Sequence, residues 1–340
     1  MFLRILLPIA LISTLAPYLY SAPLKIAILG DIHHNNEGIS TSPLFKGVVH
    51  NLKKEEVSHI IVTGDLVDRS IGGIKAKDVY IEYFKELAKA LPNSSQTPPE
   101  KRIYFSIGNH DFVKVAKESE CAHILSDFRK YTRIPENMGP RKGLLSYEFP
   151  VLLKSLEKHS SPDYSYICMP GLKNGSNFYS LYRKKVSRHS FGKQVKEKRN
   201  YHGYFNIGPY KFRLSHVPLH FRKNHVSTSP SKDTHFDISG DTHHREIDYF
   251  NHDSQNKRLW LKWKKSPTTR MLSETELSLG KNPIHLNPGS CGGDTTNKPE
   301  FSYIIIDDTQ KTLRFLNAKD HSLISLYKFN LQSADVKPTP

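Results

Sequence analysis

Five short segments of the chain combine a serine or glycine with carboxylate, carboxamide or imidazole side chains. In chain order they are Gly30-Asp31-Ile32-His33, Gly64-Asp65, Gly108-Asn109-His110-Asp111, Ser215-His216 and Gly240-Asp241-Thr242-His243. Their donor atoms are oxygen and nitrogen without thiolate sulfur, a set that suits Mn²⁺, Fe, Zn²⁺ or Co²⁺. Two such cations joined by a bridging carboxylate form a clamp for in-line displacement at phosphorus. The residue types therefore predict a metal centre that acts on phosphate groups.

Short apolar strands must position these segments, because most of the segments begin where a predicted strand ends. Lys25–Leu29 and His59–Val62 are predicted buried strands, each followed closely by glycine, and residues 43–57 and 78–91 have helical spacing. Further strands are predicted at 103–107, 211–214, 236–239, 284–286, 301–306, 313–316 and 323–329. Alternating strands and helices predict parallel pairing in a layered α/β architecture. Because ligands bind beyond the carboxyl ends of such strands, we expect one polar cluster.

The order of the segments resembles the calcineurin-like metallophosphoesterase superfamily. Its motifs are D-x-H, GD, GNH followed by Asp or Glu, a lone His, and GH-x-H, and this chain presents them in the same order. Asn287-Pro288-Gly289-Ser290 resembles the NPGS segment of the small phosphodiesterase branches. The resemblance covers about residues 24–329. It implies a four-layer α/β/β/α sandwich of two mixed sheets, with a basic insertion as a cap.

The resemblance also implies a dinuclear centre that holds two divalent transition metal ions, Mn, Fe or Zn. The implied ligands are Asp31, His33 and His243 for one ion and Asn109 and His216 for the other, with Asp65 as the bridge. His110 would stand beside the leaving group as general acid or as a stabilising cation, and Asp68 would orient it. The nucleophile would be a hydroxide that bridges the metals.

These roles imply a hydrolase of phosphate esters or anhydrides, either a phosphomonoesterase or a phosphodiesterase, with a phosphorylated substrate. Three alternatives stay open at this point. The basic, aromatic insertions favour a nuclease or nucleotide phosphodiesterase, and the apolar N-terminus is compatible with a membrane-associated pyrophosphatase. The third alternative is a catalytically inactive scaffold with the same fold. No obligate protein partner is evident from the sequence.

One position departs from the family pattern. The last motif has Asp241 where the family has histidine. An aspartate is a harder, anionic ligand that would lower the net charge of the site and favour Mn²⁺ or Fe. Alternatively, Asp241 points away, and His244 or a water fills the position with weaker binding of the second metal. We expect Asp241 to be a ligand.

Several polar residues beside the motifs have more than one interpretation. His34, His244 and Arg69 are candidates for substrate binding, although the two histidines can equally be partly exposed hydrogen-bonding residues and Arg69 can pair with Asp68. His216 is preferred over His220 as the lone histidine, because it follows a predicted strand closely.

Two further segments have predicted structural roles. We expect Asp111 to cap a helix that begins near Phe112. Residues 287–290 are expected to form a tight turn that packs on the site, and direct contact with substrate is the alternative.

The N-terminus has the layout of a secretory signal peptide. Residues 1–4 are a short basic start that ends in Arg4, residues 5–20 are mostly apolar, and two small residues follow. The apolar stretch is shorter than the ~20 residues that span a bilayer. We expect residues 1–22 to direct export to a periplasmic or extracellular location, with an uncleaved membrane anchor as the alternative. Residues 23–330 are predicted to form the metallophosphoesterase domain, and residues 331–340 a flexible tail.

Most of the surplus positive charge lies between the motifs. The chain carries a formal charge of +16. Residues 112–205 hold 18 Lys and Arg against 8 Asp and Glu, and residues 246–283 hold 7 against 5, with both tryptophans. We predict that both stretches are insertions that overhang the site. They are suited to nucleic acid or to an anionic membrane surface, or they form a solvated face with the tryptophans in the core.

Composition excludes two other classes of protein. Hydrophobic residues make up 37% and aromatic residues 11%, which is too apolar for an intrinsically disordered chain. The three cysteines have no zinc-ligand spacing and are too few for a disulfide framework.

Overall fold

Two mixed β-sheets form the frame of the protein in a computed structural model. It describes residues 23–33, 43–67, 74–93, 97–106, 108, 111, 113–115, 130–133, 166–168, 203–216, 233–249, 276–279, 283–292 and 300–331. The helices are α1 (Pro43–Lys54), α2 (Ile74–Ala90) and a 3-10 helix (Pro99–Arg102). The strands are β1 (Lys25–Leu29), β2 (His59–Val62), β3 (Ile103–Phe105), β4 (Val113–Val115), β5 (Tyr166–Cys168), β6 (Gly203–Ile207), β7 (Tyr210–Leu214), β8 (Phe236–Ile238), β9 (Arg245–Tyr249), β10 (Glu276–Leu279), β11 (Ile284–Pro288), β12 (Ser302–Asp307), β13 (Thr312–Asn317) and β14 (Leu323–Leu331).

The larger sheet has seven strands in the order β10-β14-β13-β12-β1-β2-β3. Strands β1, β2 and β3 are parallel, whereas β12, β13 and β14 join as an antiparallel meander beside β1. The five-stranded sheet has the order β6-β7-β8-β11-β9, and β7, β8 and β11 are its parallel strands. Each sheet therefore contains a parallel run whose carboxyl ends lie at one edge, which is where ligand sites form in α/β proteins.

Strict alternation along the central strands separates two hydrophobic cores. In β1, Ala27 and Leu29 pack with helices α1 and α2, whereas Ile26 and Ile28 face the five-stranded sheet. The second core consists of aliphatic and aromatic side chains from both sheets, including Phe212 and Phe236. Because successive side chains of a strand point to opposite faces, the larger sheet is covered by helices on one side and by the smaller sheet on the other.

The predicted α/β class with two mixed sheets is confirmed. The described residues form three layers of the sandwich: the helices, the large sheet and the small sheet. Three predicted features lie largely outside the described residues. They are a helical layer outside the small sheet, the basic cap at 112–205 and the insertion at 246–283. The strands that were expected from the sequence begin and end within a few residues of the predicted bounds. Helix α1 ends at Lys54, three residues before the predicted end, and α2 begins at Ile74, four residues earlier than predicted.

A buried ion pair lies on the face of the small sheet that points away from the second core. Arg213 of β7 donates from Nε to Asp237 Oδ1 of β8 at 2.5 Å and from a terminal nitrogen to Oδ2 at 2.8 Å. His285 Nδ1 of β11 lies 3.1 Å from the same carboxylate. Burial alone would raise the pKa of Asp237, but Arg213 and His285 outweigh it and hold that pKa well below its usual range.

Among the described residues, none of the helices has the length and apolar character needed to cross a bilayer. The predicted signal peptide or anchor at 1–22 lies outside the described residues. So does the predicted tail at 331–340, except for Leu331, which ends strand β14.

Arg213→Met should destabilise the protein strongly. Removing one partner leaves the buried Asp237 charge uncompensated, which costs about 3–5 kcal/mol. The double variant Arg213→Met/Asp237→Leu should lose much less, because neither charge then remains buried. Urea unfolding measures both values. Lys89→Met is the control, since Lys89 lies in an exposed pair with Glu86 and should contribute less than about 1 kcal/mol. Equal losses for the single and double variants would contradict this explanation.

Candidate metal centre

The ligand candidates of the two sheets meet at the carboxyl ends of four strands. Asp31 and His33 follow β1, and Asp65 follows β2, in the large sheet. His216 follows β7, and Asp241 and His243 follow β8, in the small sheet. The six side chains therefore come from two pairs of adjacent parallel strands, as the positions of the motifs predict.

Asp31, His33 and His243 form the first group. His33 Nε2 and His243 Nε2 lie 2.9 Å apart, and the two rings meet edge to face with centroids 4.7 Å apart. His243 Nε2 is 3.9 Å from Asp31 Oδ1. The facing atoms of all three buried side chains lie within 4.8 Å of one another. Two imidazoles and one carboxylate thus converge on one point.

Asp31, Asp65 and His216 form the second buried group. Asp65 Oδ2 lies 3.2 Å from His216 Nε2 and 3.6 Å from His33 Nε2, so one carboxylate oxygen faces an imidazole of each group. His216 Nδ1 lies 2.9 Å from the carbonyl oxygen of Thr63. A donated Nδ1 hydrogen bond fixes the ring so that Nε2 faces the carboxylates. This geometry suits the bridging role predicted for Asp65.

Asp241 lies at the open side of the second group. Its Oδ1 is 3.7 Å from His216 Nε2, and its side chain is 25% exposed, whereas that of His216 is 4% exposed. Its backbone N–H donates to Asp31 Oδ1 at 3.1 Å. His244 is half-buried, and its N–H donates to Thr242 Oγ1 at 3.4 Å. Asp241 therefore faces the cluster, which favours ligation by Asp241 over the alternative in which it points away.

The electrostatics of the cluster reflect crowded carboxylates in a dry site. Burial raises the pKa of Asp31 well above its usual range; the charges of Asp65 and Asp241 raise it further, and His216 partly offsets them. Burial opposes protonation of His216, but the carboxylates, Asp65 foremost, outweigh it and raise its pKa well above the usual value. Without a cation, the cluster therefore retains protons to limit its own negative charge.

The donor set fits metal ions. Asp31 Oδ2 is buried and accepts no hydrogen bond from the described residues, although buried carboxylate oxygens in proteins are nearly always paired. Together with three converging imidazoles and two further carboxylates, it offers the nitrogen and oxygen ligands that Zn²⁺, Mn²⁺ and Fe take. A cation would satisfy this oxygen and relieve the repulsion between the carboxylates.

The backbone of the ligand loops is left-handed at the ligands themselves. The residues with such φ angles are Asp31 (44°), His33 (45°), Asp65 (50°), Asp241 (68°) and His243 (56°). Among the described glycines of these motifs, only Gly64 shares this conformation, with φ of 109°. Gly64 therefore makes the tight turn for which glycine is favoured.

Gly108 and Gly240 serve close approach instead. A Cβ atom on Gly108 would lie 2.0 Å from Asp65 Oδ1, and one on Gly240 would lie 2.5 Å from Thr63 Oγ1 and 2.9 Å from Asp31 Oδ2. Any side chain at either position would push a carboxylate out of the cluster.

Asp111 does not cap a helix near Phe112, which corrects the prediction from sequence. The chain forms strand β4 from Val113, and Asp111 is fully buried. In the sequence Asp111 resembles an N-cap, because aspartate is favoured at the residue just before a helix begins.

The Asp111 carboxylate instead joins two ligand loops to α2. Oδ1 accepts hydrogen bonds from the Leu66 N–H and the Tyr80 hydroxyl, both at 2.9 Å, and Oδ2 accepts one from the Gly108 N–H at 2.8 Å. Burial, and then the charge of Asp65, raise the pKa of Asp111 to about 6. Asp111 is therefore a positioning residue that sequence reasoning missed.

Residues 287–290 pack on the site as predicted, but they do not form a tight turn. Asn287 and Pro288 are the last two residues of strand β11, and Gly289 follows them with a left-handed φ of 79°. Asn287 Nδ2 donates to the Gly240 carbonyl at 2.8 Å and lies 3.0 Å from Thr242 Oγ1, and Ser290 Oγ donates to the Asp31 carbonyl at 2.8 Å. Both side chains are fully buried. They therefore hold the ligand loops of both sheets, and the alternative of direct substrate contact has no support.

The comparisons with known proteins identify the family. The sequence model of the calcineurin-like phosphoesterase family matches residues 24–245, which is more than half of the chain. The chain belongs to the calcineurin-like phosphoesterase family. No curated protein sequence matches closely enough to be counted as a relative.

Solved structures of phosphoesterases are similar over most of the chain, with low scores. Yfce, a phosphoesterase from E. coli, is 13% identical over 90% of this chain and all of its own, with a TM-score of 0.39. The purple acid phosphatase PPD1 from yellow lupin is 11% identical over 91% of this chain and 54% of its own, with a TM-score of 0.40. A metallophosphoesterase from Sphaerobacter thermophilus is 15% identical over 86% and 87%, with a TM-score of 0.34. Because these scores lie below 0.5, the family assignment rests on the sequence match.

Some predicted residues of this phosphoesterase site lie outside the described residues. They are His34, Asp68, Arg69, Asn109 and His110, together with the rejected candidate His220. Their neighbours Gly108 and Asp111 are described and lie against the Asp65 loop, at hydrogen-bond and contact distance. The predicted roles of Asn109 and His110 remain predictions.

Asp31→Asn should stabilise the metal-free protein, and more so at higher pH. Because the pKa of Asp31 is raised in the folded state, the wild type loses stability as pH rises from about 4, where the unfolded carboxyl ionises, through the folded pKa. Asparagine does not titrate, so the difference in free energy of unfolding should be larger at pH 7.5 than at pH 5 in the presence of chelator. Added Mn²⁺ or Zn²⁺ should stabilise the wild type and not the variant. If the difference in free energy of unfolding did not change with pH, the explanation that burial raises the pKa of Asp31 would be wrong.

Gly108→Ala should remove bound metal, because its methyl group overlaps Asp65. Metal analysis after gel filtration measures the loss. Gly47→Ala on α1 is the matched control, since its Cβ would come no closer than 3.4 Å to any atom of His321. The control should keep its metal content and change stability by less than about 1 kcal/mol. Retention of metal in Gly108→Ala would show that Asp65 is not held by this contact.

Proposed function

We propose that the chain is a metal-dependent hydrolase of phosphate esters or anhydrides that works with two divalent cations. The observation that carries this proposal is a pair of buried ligand groups that share Asp31, in a chain of the calcineurin-like phosphoesterase family. Asp31, His33 and His243 would hold one cation. His216 and Asp241, with Asn109, would hold the other, and Asp65 would bridge the two.

Bound cations would supply positive charge that lowers the pKa of a coordinated water and stabilises the phosphoryl oxygens. The residues of the chain supply the remaining conditions. Burial of Asp31, His33 and Asp65 removes bulk water from the deep side of the site, so that the charges act in a medium of low dielectric. The exposed side, at Asp241, is where a phosphate group can enter.

His110 would protonate the leaving group or stabilise it as a cation, with Asp68 orienting its ring. His110 follows Gly108 by two residues, and the Gly108 N–H is held by Asp111, so this loop is anchored next to Asp65. His34, His244 and Arg69 would contact the phosphate or the remainder of the substrate. His244 is the described member of the three, and its half-buried place beside His243 suits that role.

The natural partner is proposed to be a phosphorylated substrate outside the cytoplasm, since the N-terminus resembles a signal peptide or membrane anchor. The basic stretches 112–205 and 246–283 suit nucleic acid or an anionic membrane surface. A site with two cations can act on a phosphomonoester or on a phosphodiester. Hydrolysis of each is therefore tested separately.

The test combines metal counting with two chromogenic substrates. Metal-free protein reloaded with Mn²⁺ should bind close to two ions per chain and should hydrolyse p-nitrophenyl phosphate or bis-p-nitrophenyl phosphate. Asp65→Asn should lose activity by about a hundredfold or more, since it removes the shared ligand, while Asp233→Asn, an exposed aspartate, should keep it. A preference for the diester would favour the nuclease or phosphodiesterase reading. Protein that binds no metal and hydrolyses neither substrate would be an inactive scaffold, and the proposal would be wrong.

A further inference from the structure

Thr63 is a buried polar residue in a place where the pattern of its strand predicts an apolar one. It follows β2, and its N–H donates to the carbonyl of Leu29 at 2.9 Å, so the pairing of β1 with β2 continues through it. Ile61 faces the core between the two sheets, and side chains two residues apart in a strand share a face. The Thr63 side chain is therefore directed from the large sheet towards the small sheet, and it is fully buried.

The hydroxyl group of Thr63 and the carboxylate of Asp31 border the same space. Thr63 Oγ1 is buried and has no hydrogen-bond partner among the described residues, and the same is true of Asp31 Oδ2. A Cβ atom on Gly240 would lie 2.5 Å from Thr63 Oγ1 and 2.9 Å from Asp31 Oδ2. The first oxygen belongs to a hydroxyl that can donate a hydrogen bond, and the second belongs to a group that, when ionised, can only accept one.

The backbone of Thr63 already holds a second ligand candidate. Its carbonyl oxygen lies 2.9 Å from His216 Nδ1, which leaves the Nε2 atom of that ring facing the carboxylates. Histidines that bind a metal usually donate a hydrogen bond from their other ring nitrogen, and carboxylates that bind a metal are hydrogen-bonded as well. Thr63 therefore lies beside one ligand candidate from each sheet, Asp31 from the large sheet and His216 from the small sheet.

A buried hydroxyl without a partner is unfavourable for folding. The Thr63 hydroxyl has given up its hydrogen bonds to water, whereas a methyl group in the same place would have none to lose. Valine has the same branched shape as threonine and is equally suited to the end of a strand. The hydroxyl is therefore explained by a state of the protein in which it has a partner.

We propose that Thr63 is a positioning residue of the metal centre: its hydroxyl donates to Asp31 Oδ2 when that carboxylate binds a cation, and its carbonyl keeps the His216 ring in place. The inference rests on the proposed function and deepens it. The other oxygen of the carboxylate, Asp31 Oδ1, already accepts the N–H of Asp241 at 3.1 Å. The Thr63 hydroxyl would fix the remaining oxygen, so that the carboxylate has one orientation towards the cation.

Two substitutions separate the hydroxyl of Thr63 from the shape of its side chain. Thr63→Val removes the hydroxyl and should weaken the binding of Co²⁺ and Zn²⁺ about tenfold or more, since residues that support a ligand change metal affinity about 10–100-fold. Thr63→Ser keeps the hydroxyl and should bind both metals nearly as tightly as the wild type. Competition with a chromophoric chelator measures these affinities in the full chain. The visible absorption of bound Co²⁺ should change in the valine variant and not in the serine variant.

Thr312→Val is the matched control. Thr312 is buried, and its Oγ1 also has no hydrogen-bond partner among the described residues. It pairs with Asp307, which pairs with Lys25 at the start of β1, so it lies at the end of the sheet opposite the ligand loops. Its valine variant should keep the metal affinity and the Co²⁺ spectrum of the wild type. In urea unfolding with chelator, both valine variants should be at least as stable as the wild type, because each loses an unpaired hydroxyl.

The outcomes distinguish this inference from the proposed function. Unchanged metal affinity in Thr63→Val would overturn the inference and leave the metal-dependent hydrolase in place. A loss of stability in metal-free Thr63→Val that Thr312→Val does not share would show a purely structural role and would also overturn it. Equal losses of affinity in the serine and valine variants would do the same, because the hydroxyl would then be irrelevant. A wild-type chain that binds neither metal would overturn both the inference and the proposed function.

Discussion

Repulsion between buried carboxylates is the constraint on which the rest of this structure depends. Asp31 and Asp65 belong to one group whose facing atoms lie within 4.8 Å, and both are buried. Two unit charges at about 5 Å repel by roughly 3 kcal/mol at an effective dielectric constant of 20. Burial adds its own cost for each ionised group. The fold must therefore hold these side chains together by other interactions when no cation does so.

The supporting interactions come from buried groups around the cluster, and none of them is itself a metal ligand. Asp111 ties the Asp65 loop to α2 and to Gly108, and Asn287 and Ser290 tie the loops of Asp31 and Asp241 to β11. Apart from the Tyr80 hydroxyl on α2, the partners in these hydrogen bonds are backbone groups. They fix the course of the ligand loops whichever metal is bound, so the ligand positions are largely prepared before a cation arrives.

Much of the fold and of the cluster can be predicted from the sequence, because both depend on local patterns. Short apolar runs that end in glycine mark the strands, and parallel pairing brings their carboxyl ends together. This is why the sequence predicts that Asp31, Asp65 and His243 lie close together. The continuous apolar run within Lys25–Leu29 indicates burial on both faces. Such patterns need only neighbours in the chain.

The remaining features depend on contacts between distant segments. Asp111 looks like a helix cap in the sequence because its partners, Leu66 and Tyr80, are 45 and 31 residues away. Likewise, the need for glycine at 108 arises from the approach of Asp65, which no local pattern reveals. Segments such as β6 and β9 are not predicted, because these five-residue stretches lack a clear alternation of apolar and polar residues and their pairing comes from the sheet.

The left-handed backbone at five ligands has a consequence for how this site can change over generations. Each non-glycine residue in that region stores about 1–3 kcal/mol of strain, which the two hydrophobic cores must carry. β-branched residues are the least compatible with it, and glycine and asparagine the most. Sequences that lose the need for metal therefore have an immediate gain in stability open to them at these loops. Glycine or asparagine at one of these positions would therefore relieve backbone strain while removing a side chain of the candidate metal centre.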